Sequence, residues 1–213
     1  MLNGYFISGT DTGVGKTLVA SILVNKFDAI YYKPIQCGVD KFGYKDSDIV
    51  TKNCKRKTII KETYFFQKAL SPNIAADLEN KKIKMVNFKN VLDQKSKKKI
   101  FIEGAGGLNV PLNDKLLMTD LIRFFNFPVI LVSRSQLGTI NHTLLSINIL
   151  KQKKIKLCGI VFIGDNEPET FMTISKFGKK IYGKRINIIA NIPFKSVVNK
   201  KSVENMKVLF KSL

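Results

Sequence analysis

Residues 9–17 read G-T-D-T-G-V-G-K-T, and this stretch decides the fold. It follows a short apolar run, Tyr5–Ile7, and leads into a helical pattern of apolar residues over 16–27. Between a strand and a helix, a glycine-rich turn lets successive backbone N–H groups face a phosphate, and the helix dipole adds to the attraction. Lys16 can reach the terminal phosphates, and Thr17 can bind Mg²⁺. Thr10 stands where a strict G-x-x-x-x-G-K-T motif has its first glycine, but the order of strand, loop, G-K-T and helix predicts a phosphate-binding loop.

Short apolar runs alternate with longer stretches of helical spacing along the rest of the chain. Near-continuous apolar runs are typical of parallel strands buried on both faces. The alternation predicts a doubly wound α/β fold of the P-loop NTPase type with a mostly parallel sheet, formed by one domain over residues 1–213. The predicted strands are 5–7, 29–32, 100–102, 128–132, 159–163 and 186–190. The predicted helices are 16–27, 46–53, 86–97, 117–126, 139–152, 168–180 and 202–212.

The chain of 213 residues is strongly basic, with 36 Lys and Arg against 16 Asp and Glu and a formal net charge of +20. Such a balance raises the possibility of a nucleic-acid partner. Only four of the basic residues are Arg, whereas base readout and phosphate recognition favour the planar guanidinium over the ammonium group. The lysine-dense stretches lie at the edges of predicted elements, so we interpret them as solvated helix ends and expect neither a nucleic-acid nor a membrane partner.

Three cysteines, Cys37, Cys54 and Cys158, are widely spaced and accompany a single His. This pattern suggests neither a disulfide framework nor a zinc site, and it fits a reducing cytosol. The N-terminus has no basic region followed by a long apolar run, and no apolar stretch approaches the ~20 residues that span a bilayer. We therefore expect a cytoplasmic protein.

Polar residues directly after the predicted strands are the candidates for chemistry, because parallel strands present their carboxyl ends at one edge of the sheet. Glu103 follows Ile100–Ile102 and opens E-G-A-G-G, and it is a candidate Mg²⁺ ligand. Asp48 is a second candidate at a helix start, where Asp46 or Ser47 could be the N-cap instead. Lys33 ends the second strand, where a buried ammonium group needs an anionic partner.

A further helix start, L-G-T-I-N-H at 137–142, offers free N–H groups suited to a carboxylate. His142 within it is more easily explained as a structural or surface residue than as a catalytic one.

Taken together, the motifs resemble those of the dethiobiotin synthetases of the biotin pathway. The resemblance runs in order over most of the chain, through G-T-D-T-G-V-G-K-T, Y-K-P at 32–34, E-G-A-G-G at 103–107, P-V-I-L-V at 128–132 and L-G-T-I-N-H at 137–142. It implies an ATP- and Mg²⁺-dependent homodimer. Such an enzyme converts 7,8-diaminopelargonate and CO₂ or bicarbonate to dethiobiotin, ADP and phosphate.

The resemblance also implies roles for individual residues. Lys33 would stabilise a carbamate, Lys16 the transferring phosphate, and Thr12 and Cys37 would line the carbamate side. The start of the second subunit's helix would bind the substrate carboxylate. The implied catalytic residues are Lys33, Lys16 and Thr12. The implied metal ligands are Thr17, Asp48 and Glu103. The implied nucleotide site is Gly13, Val14, Gly15, Lys16, Thr17, Glu103, Gly104, Ala105, Gly106, Gly164, Pro193 and Phe194. The implied substrate site is Thr12, Lys33, Cys37, Gly138, Thr139, Ile140 and Asn141.

Two positions depart from the pattern of these enzymes. Cys37 stands where relatives often carry Ser, which leaves a weaker hydrogen-bond donor facing the substrate. Ile163-Gly164 stands where many relatives have Asn-Asp to read the adenine edge, so we expect relaxed nucleotide selectivity, with other nucleoside triphosphates accepted beside ATP. Ile192-Pro-Phe matches a second base-contacting loop.

Three other classes remain as alternatives at this point. A partition or septum-site ATPase would carry a signature lysine early in the loop, where this chain has Asp11. A cobyrinate-type amide synthetase needs a glutaminase domain, for which 213 residues leave no room. A nucleic-acid-binding protein without enzymatic activity would stay bound to DNA at ~150 mM salt, whereas weak electrostatic attraction would be lost there.

Overall fold

The computed structural model of the protein describes residues 3–54, 59–92, 96–194 and 198–210. Its strands are β1 (Gly4–Gly9), β2 (Ile30–Tyr32), β3 (Ile35–Cys37), β4 (Ile59–Ile60), β5 (Tyr64–Phe66), β6 (Ile100–Gly107), β7 (Val129–Arg134), β8 (Leu157–Ile163) and β9 (Ile188–Ile192). Seven of them form a parallel sheet in the order β4-β2-β6-β1-β7-β8-β9. A separate parallel pair joins β3 to β5. The predicted doubly wound parallel sheet is confirmed.

Helices cover both faces of the seven-stranded sheet. They are α1 (Lys16–Phe27), α2 (Asp46–Asn53), α3 (Pro72–Leu78), α4 (Lys89–Leu92), α5 (Met118–Phe125), α6 (Thr139–Gln152), α7 (Pro168–Tyr182) and α8 (Lys200–Met206), with 3-10 turns at Met85–Phe88 and Lys207–Leu209. Within the described ranges, no helix is both long and apolar enough to cross a membrane.

The two faces of the sheet have separate apolar cores, because successive residues of a strand point to opposite sides. Ile7 of β1 lies in the core beneath α1, α2 and α8, whereas its neighbour Phe6 lies in the core beneath α3 and α5. A third cluster joins Leu131 and Phe162 to α6 and α7. Strands that are buried on both sides explain why the sequence runs are apolar without alternation.

Several predicted boundaries need correction. The helix predicted over 86–97 is a 3-10 turn, Met85–Phe88, followed by the short α4, and residues 93–95 of that prediction lie outside the described residues. The helix predicted over 202–212 begins earlier, at Lys200, ends at Met206 and continues as a 3-10 turn, with residues 211–212 outside the described part. The strand predicted at 186–190 is shifted to Ile188–Ile192, because Ile186 packs in the α6–α7 cluster instead of joining the sheet. Strands β3, β4 and β5 and helix α3 were not predicted.

The fold gathers polar groups at one edge of the sheet. The carboxyl ends of β1, β2, β6, β7 and β8 lead directly into residues 9–17, Lys33, the glycine-rich end of β6, Arg134 and Gly164. Ligands of open α/β sheets bind at this edge.

Candidate active site

The phosphate loop, residues 9–17, bends sharply between β1 and α1. Gly13 and Gly15 adopt positive φ angles of 70° and 99°, and a Cβ on Gly15 would lie 3.1 Å from the Ile163 side chain. Glycine alone meets both demands without strain. The loop is braced from β7, because Arg134 donates to the Gly13 carbonyl oxygen over 2.8 Å. The first N–H groups of an α-helix have no acceptor within the helix, so those of α1 are available to a phosphate held in this loop.

Two cavities meet at the phosphate loop, and both are lined by Gly13 and Gly15. The larger, of about 1290 Å³, extends over Val14, the start of α6 and the end of β8. The smaller, of about 900 Å³, extends over Thr12, the first residues of α1 and the ends of β2 and β6. We name them the outer and the inner cavity. A molecule whose phosphates occupy the loop can therefore reach into both.

Lys33 is the centre of a charged cluster in the inner cavity. Its ammonium group lies 2.6 Å from an Asp46 oxygen and 3.1 Å from Glu103 Oε1, and it donates to the Gly104 carbonyl oxygen over 3.1 Å. Thr17 donates to the same Glu103 oxygen over 2.9 Å. Lys33 and Glu103 are almost completely buried. The structure therefore brings Lys33, Thr17 and Glu103 together, as the sequence predicted.

Burial and ion pairing shift the pKa values of these groups in opposite directions. Burial alone lowers the pKa of Lys33, but the Glu103 and Asp46 carboxylates outweigh it and hold that pKa above its usual value. Burial raises the pKa of Glu103, and Lys33 opposes the rise. Burial also acts to raise the pKa of Asp46, but Lys33 holds it below its usual value. The cluster thus keeps a protonated ammonium group in a largely buried position on the cavity lining, where an arriving anion can replace one of its carboxylate partners.

Lys16 has a different environment from Lys33. Its ammonium group folds back onto the Asp11 carbonyl oxygen, 2.9 Å away. Burial, followed by repulsion from Lys33, lowers the pKa of Lys16 to about 8. A phosphate bound in the loop would place a negative charge beside this ammonium group and would raise its pKa again.

Asp48, the third proposed metal ligand, is not among the residues that line the inner cavity. It is the third residue of α2, and its carboxylate accepts the Lys45 amide at 3.0 Å, which caps the helix. Asp46, the first residue of the same helix, points into the inner cavity instead. Residues two apart on a helix point in different directions, so only one of the two carboxylates faces Lys33.

Tyr31 is a contributor that sequence analysis missed. It is fully buried, and its hydroxyl donates to Glu103 Oε2 over 2.8 Å. Burial, followed by the Glu103 charge, raises the pKa of Tyr31 well above its ordinary value, so the hydroxyl remains a donor. In the sequence, Tyr31 looks like any aromatic residue of the core. Only the pairing of β2 with β6 shows that it lies beside Glu103.

Most of the other residues predicted for the chemistry line one of the two cavities. Thr12, Cys37, Ala105 and Gly106 line the inner cavity. Burial raises the pKa of the Cys37 thiol to about 11, so it is a neutral thiol at physiological pH. Gly104 lies beneath the cavity, where a Cβ would approach the Phe6 ring at 2.9 Å.

The start of α6 and the predicted base-contacting residues belong to the outer cavity. Its lining includes Gly138, Thr139, Ile140 and Asn141, together with Gly164 and Phe194. Pro193 is exposed beside Phe194 and is not among the lining residues. Within one chain, the structure therefore does not place residues 138–141 in the cavity that contains Lys33.

Comparison with known proteins finds relatives named dethiobiotin synthetase. A family model described as an AAA domain matches residues 3–202. The chain is 41% identical to ATP-dependent dethiobiotin synthetase BioD of Lawsonia intracellularis over 95% of its own length and 93% of that protein. It is 42% identical to the protein of the same name from Christiangramia forsetii over 86% of this chain and 87% of that protein. Among solved structures, the cell division ATPase MinD of Pyrococcus furiosus matches with a TM-score of 0.56 over 98% of each chain at 14% identity, which shows a shared fold.

Proposed function

Because this chain belongs to the ATP-dependent dethiobiotin synthetase family, we propose that it uses ATP to convert 7,8-diaminopelargonate and CO₂ into dethiobiotin. Membership of this family makes it a ligase of biotin biosynthesis. The observation that carries the detailed proposal is the buried Lys33, which lies with Glu103 and Thr17 beside the phosphate loop. We also propose that residues 1–213 act as one domain.

The chemistry needs two anions placed in line and their charge neutralised. One substrate amine attacks CO₂ to form a carbamate and releases a proton. A carbamate oxygen then attacks the γ-phosphorus of ATP, and ADP leaves. Finally the second amine attacks the carbonyl carbon and expels phosphate, which closes the cyclic urea and releases the second proton.

Lys33 is the group that suits the carbamate. Its ammonium group is protonated, buried and held by two carboxylates, so an arriving carbamate can take over the contact with Asp46. Lys16, at the phosphate loop, would neutralise the charge that develops as the γ-phosphoryl group transfers. Thr12 and Cys37 line the same cavity and can donate hydrogen bonds to the substrate.

The residues at the inner cavity fit a Mg²⁺ ion. The Thr17 hydroxyl and the Glu103 and Asp46 carboxylates are hard oxygen ligands, which magnesium prefers. Within the described ranges no three His, Cys, Asp or Glu side chains form a metal site by themselves, which agrees with an ion that also depends on Thr17 and on nucleotide phosphates. When bound, the ion would neutralise phosphate charge. We propose Thr17 and Glu103 as its ligands, with Asp46 in the place that the sequence predicted for Asp48.

We propose a homodimer because residues 138–141 line the outer cavity rather than the one that contains Lys33. The start of α6 has free N–H groups that suit a carboxylate. In a dimer, this helix start would serve the substrate carboxylate at the partner's Lys33 cavity, so that two chains complete each site.

One assay tests the proposed reaction. Enzyme, diaminopelargonate, bicarbonate and MgATP are incubated, and ADP and dethiobiotin are both measured. We expect equal amounts of the two products and little ADP when the diamine is omitted. ADP formation at the same rate without the diamine would overturn the synthetase assignment and favour a nucleotide-switch ATPase.

A further inference from the structure

Glu103 uses its two carboxylate oxygens differently. Oε1 accepts from Thr17 over 2.9 Å and from Lys33 over 3.1 Å, on the side of the inner cavity. Oε2 accepts from Tyr31 over 2.8 Å, on the side of the apolar core. One oxygen is therefore anchored in the protein, and the other is presented where the proposed metal ion would bind.

Tyr31 is buried on a paired strand, where it can act as an anchor for Glu103. It lies on β2 opposite Phe101 of β6, so its side chain is on the same face of the sheet as Glu103, two residues further along. Its ring is fully buried in the core cluster that includes Val50 and Cys54. The hydroxyl thus reaches Glu103 from a fixed position.

We propose that Tyr31 is a positioning residue that holds the Glu103 carboxylate in the orientation needed to bind Mg²⁺ through Oε1. The inference rests on the proposed function in one respect, the assignment of Glu103 and Thr17 to the metal ion. Magnesium demands near-ideal octahedral geometry, so a carboxylate that rotates freely is a poorer ligand than a fixed one. Partners that orient metal ligands typically contribute 10–100-fold to metal affinity.

The chain supplies a matched control on the same strand. Tyr32 is also fully buried, but its hydroxyl is paired with Thr63 and its side chain belongs to the core on the opposite face of the sheet. Tyr31→Phe and Tyr32→Phe each remove one buried hydroxyl while keeping the ring. Only the first removes a contact with Glu103.

The test measures ADP binding by calorimetry, first in EDTA and then over a series of Mg²⁺ concentrations. For Tyr31→Phe we expect unchanged ADP affinity in EDTA. The midpoint, which is the Mg²⁺ concentration at which half of the Mg²⁺-dependent gain in ADP affinity is reached, should rise about tenfold. Tyr32→Phe should keep the wild-type midpoint. A wild-type midpoint in Tyr31→Phe, an equal shift in both variants, or no Mg²⁺ effect on wild-type ADP binding would each overturn the inference. Because the diamine is absent, failure of the synthetase assay would leave this result unaffected.

A second measurement uses the wild-type fold, in case Tyr31→Phe does not fold. The chain has six tyrosines, so the protein can be labelled with 3-fluorotyrosine and the Tyr31 signal assigned by replacing the other five in turn. The Tyr31 fluorine resonance should move when Mg²⁺ is added to the ADP complex. A resonance that stays in place would contradict a hydroxyl coupled to a metal ligand.

Discussion

Arg134, the last residue of β7, donates from Nη2 to the carbonyl oxygen of Gly13, 2.8 Å away in the phosphate loop. Arg134 also lines the outer cavity. Its guanidinium group therefore braces the loop and adds positive charge beside the expected phosphates. Because the side chain is exposed, we expect Arg134→Ala to weaken ADP binding by about three- to tenfold, the scale of one charge-assisted hydrogen bond near solvent.

Calorimetric titration with MgADP measures this effect. Arg123→Ala is the matched control, since Arg123 is an exposed residue of α5 that lines neither cavity. Equal ADP affinity in wild type and Arg134→Ala would show that the contact with Gly13 has no part in nucleotide binding.

Asp46 and Asp48 are expected to respond differently to the same substitution. Asp46→Asn removes a charge that faces Lys33, so we expect it to raise the Mg²⁺ requirement for turnover by about 10–100-fold. Asp48→Asn weakens the cap on the Lys45 amide, which is expected to lower the free energy of unfolding by ~1 kcal/mol or less and leave the Mg²⁺ requirement unchanged. Steady-state rates across a Mg²⁺ series and urea unfolding measure the two effects. The reverse pattern would return the metal-binding role to Asp48.

This pair of aspartates shows where sequence reasoning reaches its limit. Thr17 could be predicted because it ends the G-K-T of the phosphate loop. Lys33 and Glu103 could be predicted because each follows a short apolar run, and the carboxyl ends of parallel strands meet at one edge of the sheet. The choice between Asp46 and Asp48 depends on how α2 is rotated against the sheet, which packing decides. Tyr31 depends on the pairing of β2 with β6, a long-range relationship that neither strand encodes alone.

The fold, like the site, has elements that local sequence predicts and elements that depend on long-range pairing. The long helices α1 and α6 match the predicted ranges because glycines mark their starts and each is long enough to be recognised between two strands. The strands β3 and β5 have three residues each, too few to show a period, and they pair only with each other. Helix α3 is also short, although Ser71-Pro72 at its start was a usable signal.

Lys33→Ala is expected to reduce kcat by about 100- to 1000-fold, as when one preorganised charge partner of a reacting group is removed. ADP affinity should change little, because Lys33 contacts Asp46 and Glu103 rather than the loop. Lys45→Ala is a control that removes a neighbouring lysine whose partner, Glu62, lies outside the cavity lining. An unaffected kcat in Lys33→Ala would remove Lys33 from the mechanism.

Nucleotide binding is expected to take up protons above pH 8. In the free protein the pKa of Lys16 is lowered to about 8 by burial and by Lys33, and bound phosphate charge should raise it. At pH 8.5 about three quarters of the Lys16 side chains are then neutral before binding, so MgADP binding should take up about 0.7 proton, against about 0.1 at pH 7. The apparent affinity should fall as the pH rises further. Calorimetry in two buffers of different ionisation enthalpy measures this uptake, and zero uptake at pH 8.5 would contradict a neutral Lys16.

The end of β8 predicts weak discrimination among nucleoside triphosphates. Ile163 is apolar and packs toward Gly15. Gly164 carries no side chain and adopts a φ of 127°, and a Cβ at this position would collide with the Ser135 hydroxyl oxygen. Neither residue can accept and donate hydrogen bonds through a side chain at the edge of a base. We therefore expect kcat/KM for ATP, GTP and CTP to agree within about tenfold. Without a side chain that hydrogen-bonds the base, no protein group is left unpaired when a different base binds.

Two variants sharpen this test. Ile163→Asn supplies an amide that can both donate and accept, and it should raise the preference for ATP by about tenfold, the scale of a single recovered polar contact. Ile163→Val keeps the position apolar and should leave the preference unchanged. A wild-type preference for ATP above about a hundredfold would contradict the prediction. It would mean that other polar residues of the outer cavity, of which Asp165 and Glu167 are the charged ones beside β8, read the base instead.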